Sequence, residues 1–179
     1  MKNRLFTMAV ISTLAVLLGA SAARAQEASS AQKKPKTPSE AVLESWNDIG
    51  GRIITMAEDW SEDKYNYRPN AQVRTFADVL RHIAGSNYDL LNHVTAKKVG
   101  DGANDPSPET YKTKAQIVAF VKKSVEDGAA TIKEHGDAGI LKALDYWIGY
   151  TEHMGEHYGQ LVQYYRNNGI VPPESRPKK

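Results

Sequence analysis

The stretch Glu152-His153-Met154-Gly155-Glu156-His157-Tyr158-Gly159-Gln160 decides how this chain is read. Its two histidines are four residues apart, so on a helix they stand within about 40° of each other, one turn apart. Two imidazoles placed in this way can offer lone pairs to one cation beside the helix. Around them Trp147, Tyr150, Met154, His157, Leu161 and Tyr165 form the core stripe of a helix. That helix is expected to begin between Leu141 and Asp145 and to run to Asn168, with Gly169 at its C′ position and Pro172-Pro173 preventing its resumption. His157 then points inward with His153 just beside it. Tyr146, Gln160 and Tyr164 lie within about 20° of His153 around the axis and can furnish a polar lining. Gly155 and Gly159, one turn apart on another face, would let a neighbouring helix come near.

Two ligands rarely hold a metal, so a third must come from elsewhere in the chain. Three further helices are written upstream. Thr37-Pro38-Ser39-Glu40 carries a capping box and a proline suited to the first helical position. Val42, Leu43, Trp46, Ile49, Ile53, Met56 and Trp60 follow at helical spacing. Gly50-Gly51 in the middle costs about 2 kcal/mol relative to alanines, which implies either a kink or the close approach of another helix. From Trp60 to Arg74 the pattern is lost, and Pro69-Asn70 marks a connecting loop. Thr75 and Asp78 start the second helix, whose stripe is Phe76, Val79, Leu80, Ile83, Leu90 or Leu91, and Val94. His82 lies on the edge of that stripe and supplies the third imidazole. His93 and His135 read as surface or rim residues.

The segment from Val99 to Lys112 holds two glycines and two prolines and reads as a loop with room to move. A capping box at Thr113–Gln116 opens a third helix through Ile117, Phe120, Val121, Val125 and Ile132, ending near Gly136. Four helices of similar length, with no strand-like alternation and no internal repeat, predict an all-α, single-domain four-helix bundle. A metal in such a core is held from facing helices, which His82 with His153 and His157 would satisfy.

Two rival chemistries use the same residues. His153-Met-Gly-Glu156-His157 matches the inverted zinc-protease motif H-x-x-E-H. That class takes a further carboxylate ligand from well downstream, and here only Glu174, in a proline-rich tail, follows His157. Glu156 also points about 60° away from His153 around the helix. A haem held by Met154 or His157 has less support, since the chain has no CxxCH.

The amino terminus reads as a secretion signal over residues 1–25. Lys2 and Arg4 precede an apolar run from Leu5 to Leu18, and Ala23-Arg24-Ala25 is an A-x-A cleavage site. The run is short of the roughly 20 residues that span a bilayer. Residues 26–36 read as a solvated linker before a bundle over 37–176. With no cysteine there is no lipoprotein anchor, disulfide or thiolate ligand. The formal charge of +2 includes Lys2, Arg4 and Arg24, so without the leader the chain is formally −1. No basic stripe remains for nucleic acid. The expectation is a periplasmic or secreted protein with no stable membrane anchor once the leader is cleaved.

Four stretches together resemble the DinB/YfiT-like superfamily: Tyr65-Asn-Tyr-Arg-Pro69, Thr75-Phe-Ala-Asp-Val-Leu-Arg-His82-Ile-Ala-Gly85, His153-x-x-x-His157-Tyr-Gly-Gln160, and Asn168-Gly-Ile-Val-Pro-Pro-Glu-Ser-Arg176. The resemblance spans about Ser39 to Arg176 and implies a four-helix bundle whose histidines bind one divalent metal, commonly zinc or nickel. Carried over, the ligands are His82, His153 and His157. Some members of that superfamily transfer low-molecular-weight thiols and others isomerise maleylpyruvate. An oxidising compartment suits a reduced thiol cosubstrate poorly.

Three neutral imidazoles leave at least one coordination position for water or substrate, as in catalytic rather than structural zinc sites. The expected function is therefore that of a metal-dependent hydrolase or transferase acting on a small molecule, with Gln160, Glu156 and Tyr150 as candidate supporting or substrate-facing residues. The alternative is a non-catalytic metal-binding, interaction or stress-related bundle. Pairing of two copies through helix faces is compatible with either.

Overall fold

A computed structural model of the protein describes residues 35–177. The expected leader and nearly all of the linker lie outside the described residues. Four helices make up the described residues: α1 (Pro38–Asp59), α2 (Phe76–Thr95), α3 (Lys114–Lys142) and α4 (Leu144–Asn167). Short 3₁₀ turns occur at Glu62–Lys64 and Pro173–Ser175, and no strand is present among the described residues. None of the described helices is long and apolar enough to cross a membrane.

Three helices begin on side-chain caps. Thr37 accepts the amide of Glu40, and Glu40 accepts the amide of Thr37. Thr75 and Asp78, then Thr113 and Gln116, repeat this exchange. Each box satisfies amides that the first helical turn cannot pair internally. The end of α3 differs from expectation. Gly136 breaks the helix with φ 56°, but helical turns resume and run to Lys142. Asp137, just past the break, accepts the amide and hydroxyl of Ser39 at 2.9 and 2.6 Å, tying this corner to the start of α1.

In cross-section α1 and α2 each pack against both α3 and α4. Trp46 and Trp147 meet edge to face at 5.6 Å, and Trp60 stacks on Phe76 at 4.7 Å, all four rings buried. The Gly50-Gly51 pair is explained by approach rather than by a kink. A Cβ at Gly50 would lie 2.6 Å from Val125 Cγ1, whereas Gly51 faces open space. The expectation for α4 is overturned, because nothing lies within 4 Å of a Cβ at Gly155 or Gly159. That face of α4 has no neighbouring helix among the described residues.

The 60–75 connection contributes to the core through Trp60 and Tyr65. The 99–112 connection is strapped along α2. Arg81 donates to the carbonyl of Tyr111 at 3.0 Å, Asn92 accepts the amide of Val99 at 2.6 Å, and Arg74 pairs with Asp105 at 2.9 Å. Covered in this way, α2 is buried at every residue from Val79 to Tyr88, including Arg81, His82, Ser86 and Asn87.

Candidate metal centre

His82 from α2 and His153 and His157 from α4 meet where these two helices face each other. Nε2 of His153 lies 3.0 Å from Nε2 of His82 and 3.1 Å from Nε2 of His157. One nitrogen from each ring lies within 4.8 Å of both others. Three nitrogens at zinc bonding distances of about 2.0–2.1 Å, arranged tetrahedrally, would stand about 3.3 Å apart. The cluster thus has the dimensions of a shared ion.

Hydrogen bonds fix which nitrogen of each outer ring carries the proton. Nδ1 of His82 lies 2.6 Å from the carbonyl oxygen of Asn104. A carbonyl can only accept, so Nδ1 is the donor and Nε2 of the neutral ring bears the lone pair. His157 is set by a longer relay. Tyr164 donates to the carbonyl of Arg74 at 2.6 Å, and the Gln160 amide nitrogen donates to Tyr164 at 3.1 Å. Gln160 Oε1 is thereby turned to Nδ1 of His157 at 2.9 Å, which must donate to it. Both outer rings therefore aim Nε2 lone pairs toward the position where Nε2 of His153 also converges. Without a cation between them, at most one proton on His153 could relieve that repulsion. Nδ1 of His153 is buried with no hydrogen-bond partner.

Burial keeps His82 and His153 in the form that ligates. Burial pushes His82 below the ordinary histidine range; the Asn104 bond opposes it less strongly, and Arg74 lowers it a little further. His153 is pushed down to about 4, mainly by burial and then by the two neighbouring imidazoles. Metals bind the neutral imidazole, so the donor set fits one divalent cation.

His153 also lines a cavity of about 690 Å³, with Asn104, Asp89, Asp145, Tyr146 and Tyr150 among its walls. Tyr150 donates to Asp89 at 2.6 Å, and burial followed by that carboxylate pushes the phenol up to about 12, so it stays a neutral donor. Among the described residues no lysine or arginine lines the cavity. The apolar groove lined by Leu141, Leu144, Ile148 and Thr151 lies away from the histidines.

The other expectations sort clearly. Gln160 supports His157, not His153. Tyr150 is half-buried, packed against the core and also on the cavity wall, and Tyr164 is buried at the far end of the relay. Tyr146 is exposed, and its ring lies against that of His93 with centroids 4.2 Å apart and planes tilted by 30°. Glu156 is exposed, and neither the cluster nor the cavity includes it, so the protease-like role has no support. Asn104, Asp105 and Asp89 are absent from the sequence reading. Asn104 acts through its backbone carbonyl, which every residue has, so its identity carries no signal.

No curated protein and no solved structure matches the chain. A sequence model of the DinB superfamily matches residues 45–163, well over half of the chain and inclusive of all three histidines. With an all-helical fold and a convergent trihistidine cluster already in place, the match is decisive: the chain belongs to the DinB superfamily, a group of metal-binding helical proteins.

Proposed function

We propose that this protein is a secreted, metal-dependent hydrolase or transferase that holds one zinc or nickel ion on His82, His153 and His157. The observation that carries this reading is the convergence of three Nε2 atoms, two with tautomers dictated by hydrogen bonds, at the wall of an accessible cavity. The ion would supply Lewis acidity for activating a nucleophile or polarising a carbonyl. The chain's own residues supply the rest. Asn104 and Gln160 hold two ligand rings in register, which conserves affinity and orientation. Tyr150, kept protonated and with its proton held by Asp89, presents a phenol oxygen that can accept a hydrogen bond at the cavity wall.

Asp89 and Asp145 on the walls, with no lysine or arginine among the described lining residues, favour a small neutral or cationic substrate over a polyanionic one. This argues for hydrolysis over transfer to an anionic thiol, as does an oxidising compartment outside the cytoplasm. The test is elemental analysis of tag-free protein beside His82→Ala, followed by turnover of small neutral and cationic esters and amides. About one equivalent of metal in the parent, little in the variant, and turnover only by the parent would support the reading. Equal, near-zero metal in both would reject the site. Metal without turnover, and without a spectral response of the cobalt form to added small ligands, would leave a non-catalytic metal-binding protein.

A further inference from the structure

The tautomer of His82 depends on a backbone carbonyl from a connection that makes no regular structure, so something must hold that carbonyl in place. Gly85 is three residues after His82, on the same face of α2. A Cβ there would overlap the carbonyl oxygen of Ala103 and lie 2.8 Å from Pro106 Cγ. The neighbour that would have to give way is backbone, not the tip of a flexible side chain. One residue beyond Ala103, the Asn104 carbonyl meets Nδ1 of His82 at 2.6 Å. The same segment is clamped on its far side by Asp105, bound to Arg74 at 2.9 and 3.2 Å, and further on by Arg81 on the carbonyl of Tyr111.

We propose that Gly85 is a positioning residue for the metal centre: its bare Cα is the seat on which residues 103–106 rest, and that seating places the Asn104 carbonyl against His82. The proposal builds on the trihistidine reading, but its geometric half stands without any metal. A methyl group at position 85 lifts the segment away from α2, and Nδ1 of His82 then loses its acceptor. The ring is released to rotate or to carry its proton on Nε2, which removes a lone pair from the cluster. No charge, ligand or hydrogen-bonding side chain is altered by this change, so the effect is separable from electrostatics. Gly51 on α1 is the matched control, because a Cβ there meets nothing within 4 Å.

The experiment compares the parent, Gly85→Ala and Gly51→Ala, each labelled with ¹⁵N-histidine. Long-range ¹H–¹⁵N spectra of the metal-free proteins report the His82 tautomer, and competition with a chromophoric chelator reports zinc affinity. The expected result is an Nδ1–H tautomer in the parent and Gly51→Ala, lost in Gly85→Ala. Zinc affinity should fall about 10- to 100-fold in Gly85→Ala alone, the range typical of removing a partner behind a ligating histidine. A folded Gly85→Ala protein with the parental tautomer overturns the proposal. If Gly85→Ala shows no cooperative melt, Asn92→Ala, which frees the Val99 amide and the Gly100 carbonyl of the same connection without changing a charge, decides: a changed His82 tautomer supports the seating and an unchanged one overturns it. A parent that binds no zinc yet shows the tautomer switch would sink the metal reading and leave the seating intact.

Discussion

The two helices that meet at the histidine cluster are built differently. α2 is buried over ten consecutive residues, Val79 to Tyr88, polar ones included. α4 buries only Trp147, Met154, Leu161, Tyr164 and Tyr165, and leaves Ile148 56 % exposed. Bundle packing covers one stripe of each, and the strapped 99–112 connection covers the back of α2 as well. The one cluster histidine of α2, His82, is therefore enclosed by tertiary structure, whereas on α4 His153 stands at the edge of an open cavity with His157 one turn further on. One ligand of this site is thus set by a loop, and the other two by helical periodicity and a side-chain relay.

Truncating the same residue type on each helix tests this asymmetry most strongly. Ile83→Ala on α2 removes a fully buried side chain and should cost about 2–5 kcal/mol of stability. Ile148→Ala on α4 should stay within about 0.5 kcal/mol. Chemical denaturation of both variants checks this, and similar losses would break the comparison.

Acid should act on both helices in the same direction. His82 and His153 each have a folded-state pKa below the ordinary 6.5, that of His153 being about 4. In that interval the unfolded chain binds more protons than the folded one, so stability rises with pH across it. The metal-free protein should therefore keep a constant melting temperature above pH of about 7 from these groups, and lose stability as pH falls from 6.5 through about 4. Substituting His153→Gln should flatten part of that slope, as read by melting curves across the range.

The smallest expected effect is at a glycine. Gly155→Ala on the open face of α4 meets nothing within 4 Å and should stabilise by about 0.5–1 kcal/mol through helix propensity. Destabilisation there, measured by denaturation, would mean that the face is occupied in solution.

Periodicity and capping chemistry were enough to place four helices and to set His82, His153 and His157 on inward-facing edges, because both depend on neighbours within one or two turns. The beginnings at Thr37, Thr75 and Thr113 were legible for the same reason: a box of four residues completes itself locally. The turns after Gly136 were not, since Asp137 is held there by Ser39, 98 positions away in the chain. Glycines were equally opaque. Gly50 and Gly85 sit under other segments, while Gly155 and Gly159 do not, and nothing in their own surroundings along the chain separates the two kinds.

What the amino-acid order determined by itself is a bundle with three imidazoles on facing helical edges, for that follows from spacing and the fixed pitch of the helix. Only the tertiary structure decided which ring nitrogens face one another and what encloses them. The Asn104 carbonyl, the Arg74 carbonyl behind Tyr164, and the carboxylates of Asp89 and Asp145 come from segments whose meeting is set by packing over long separations. A backbone carbonyl has no identity to read in a sequence, so its role appears only when the fold brings it to the ring.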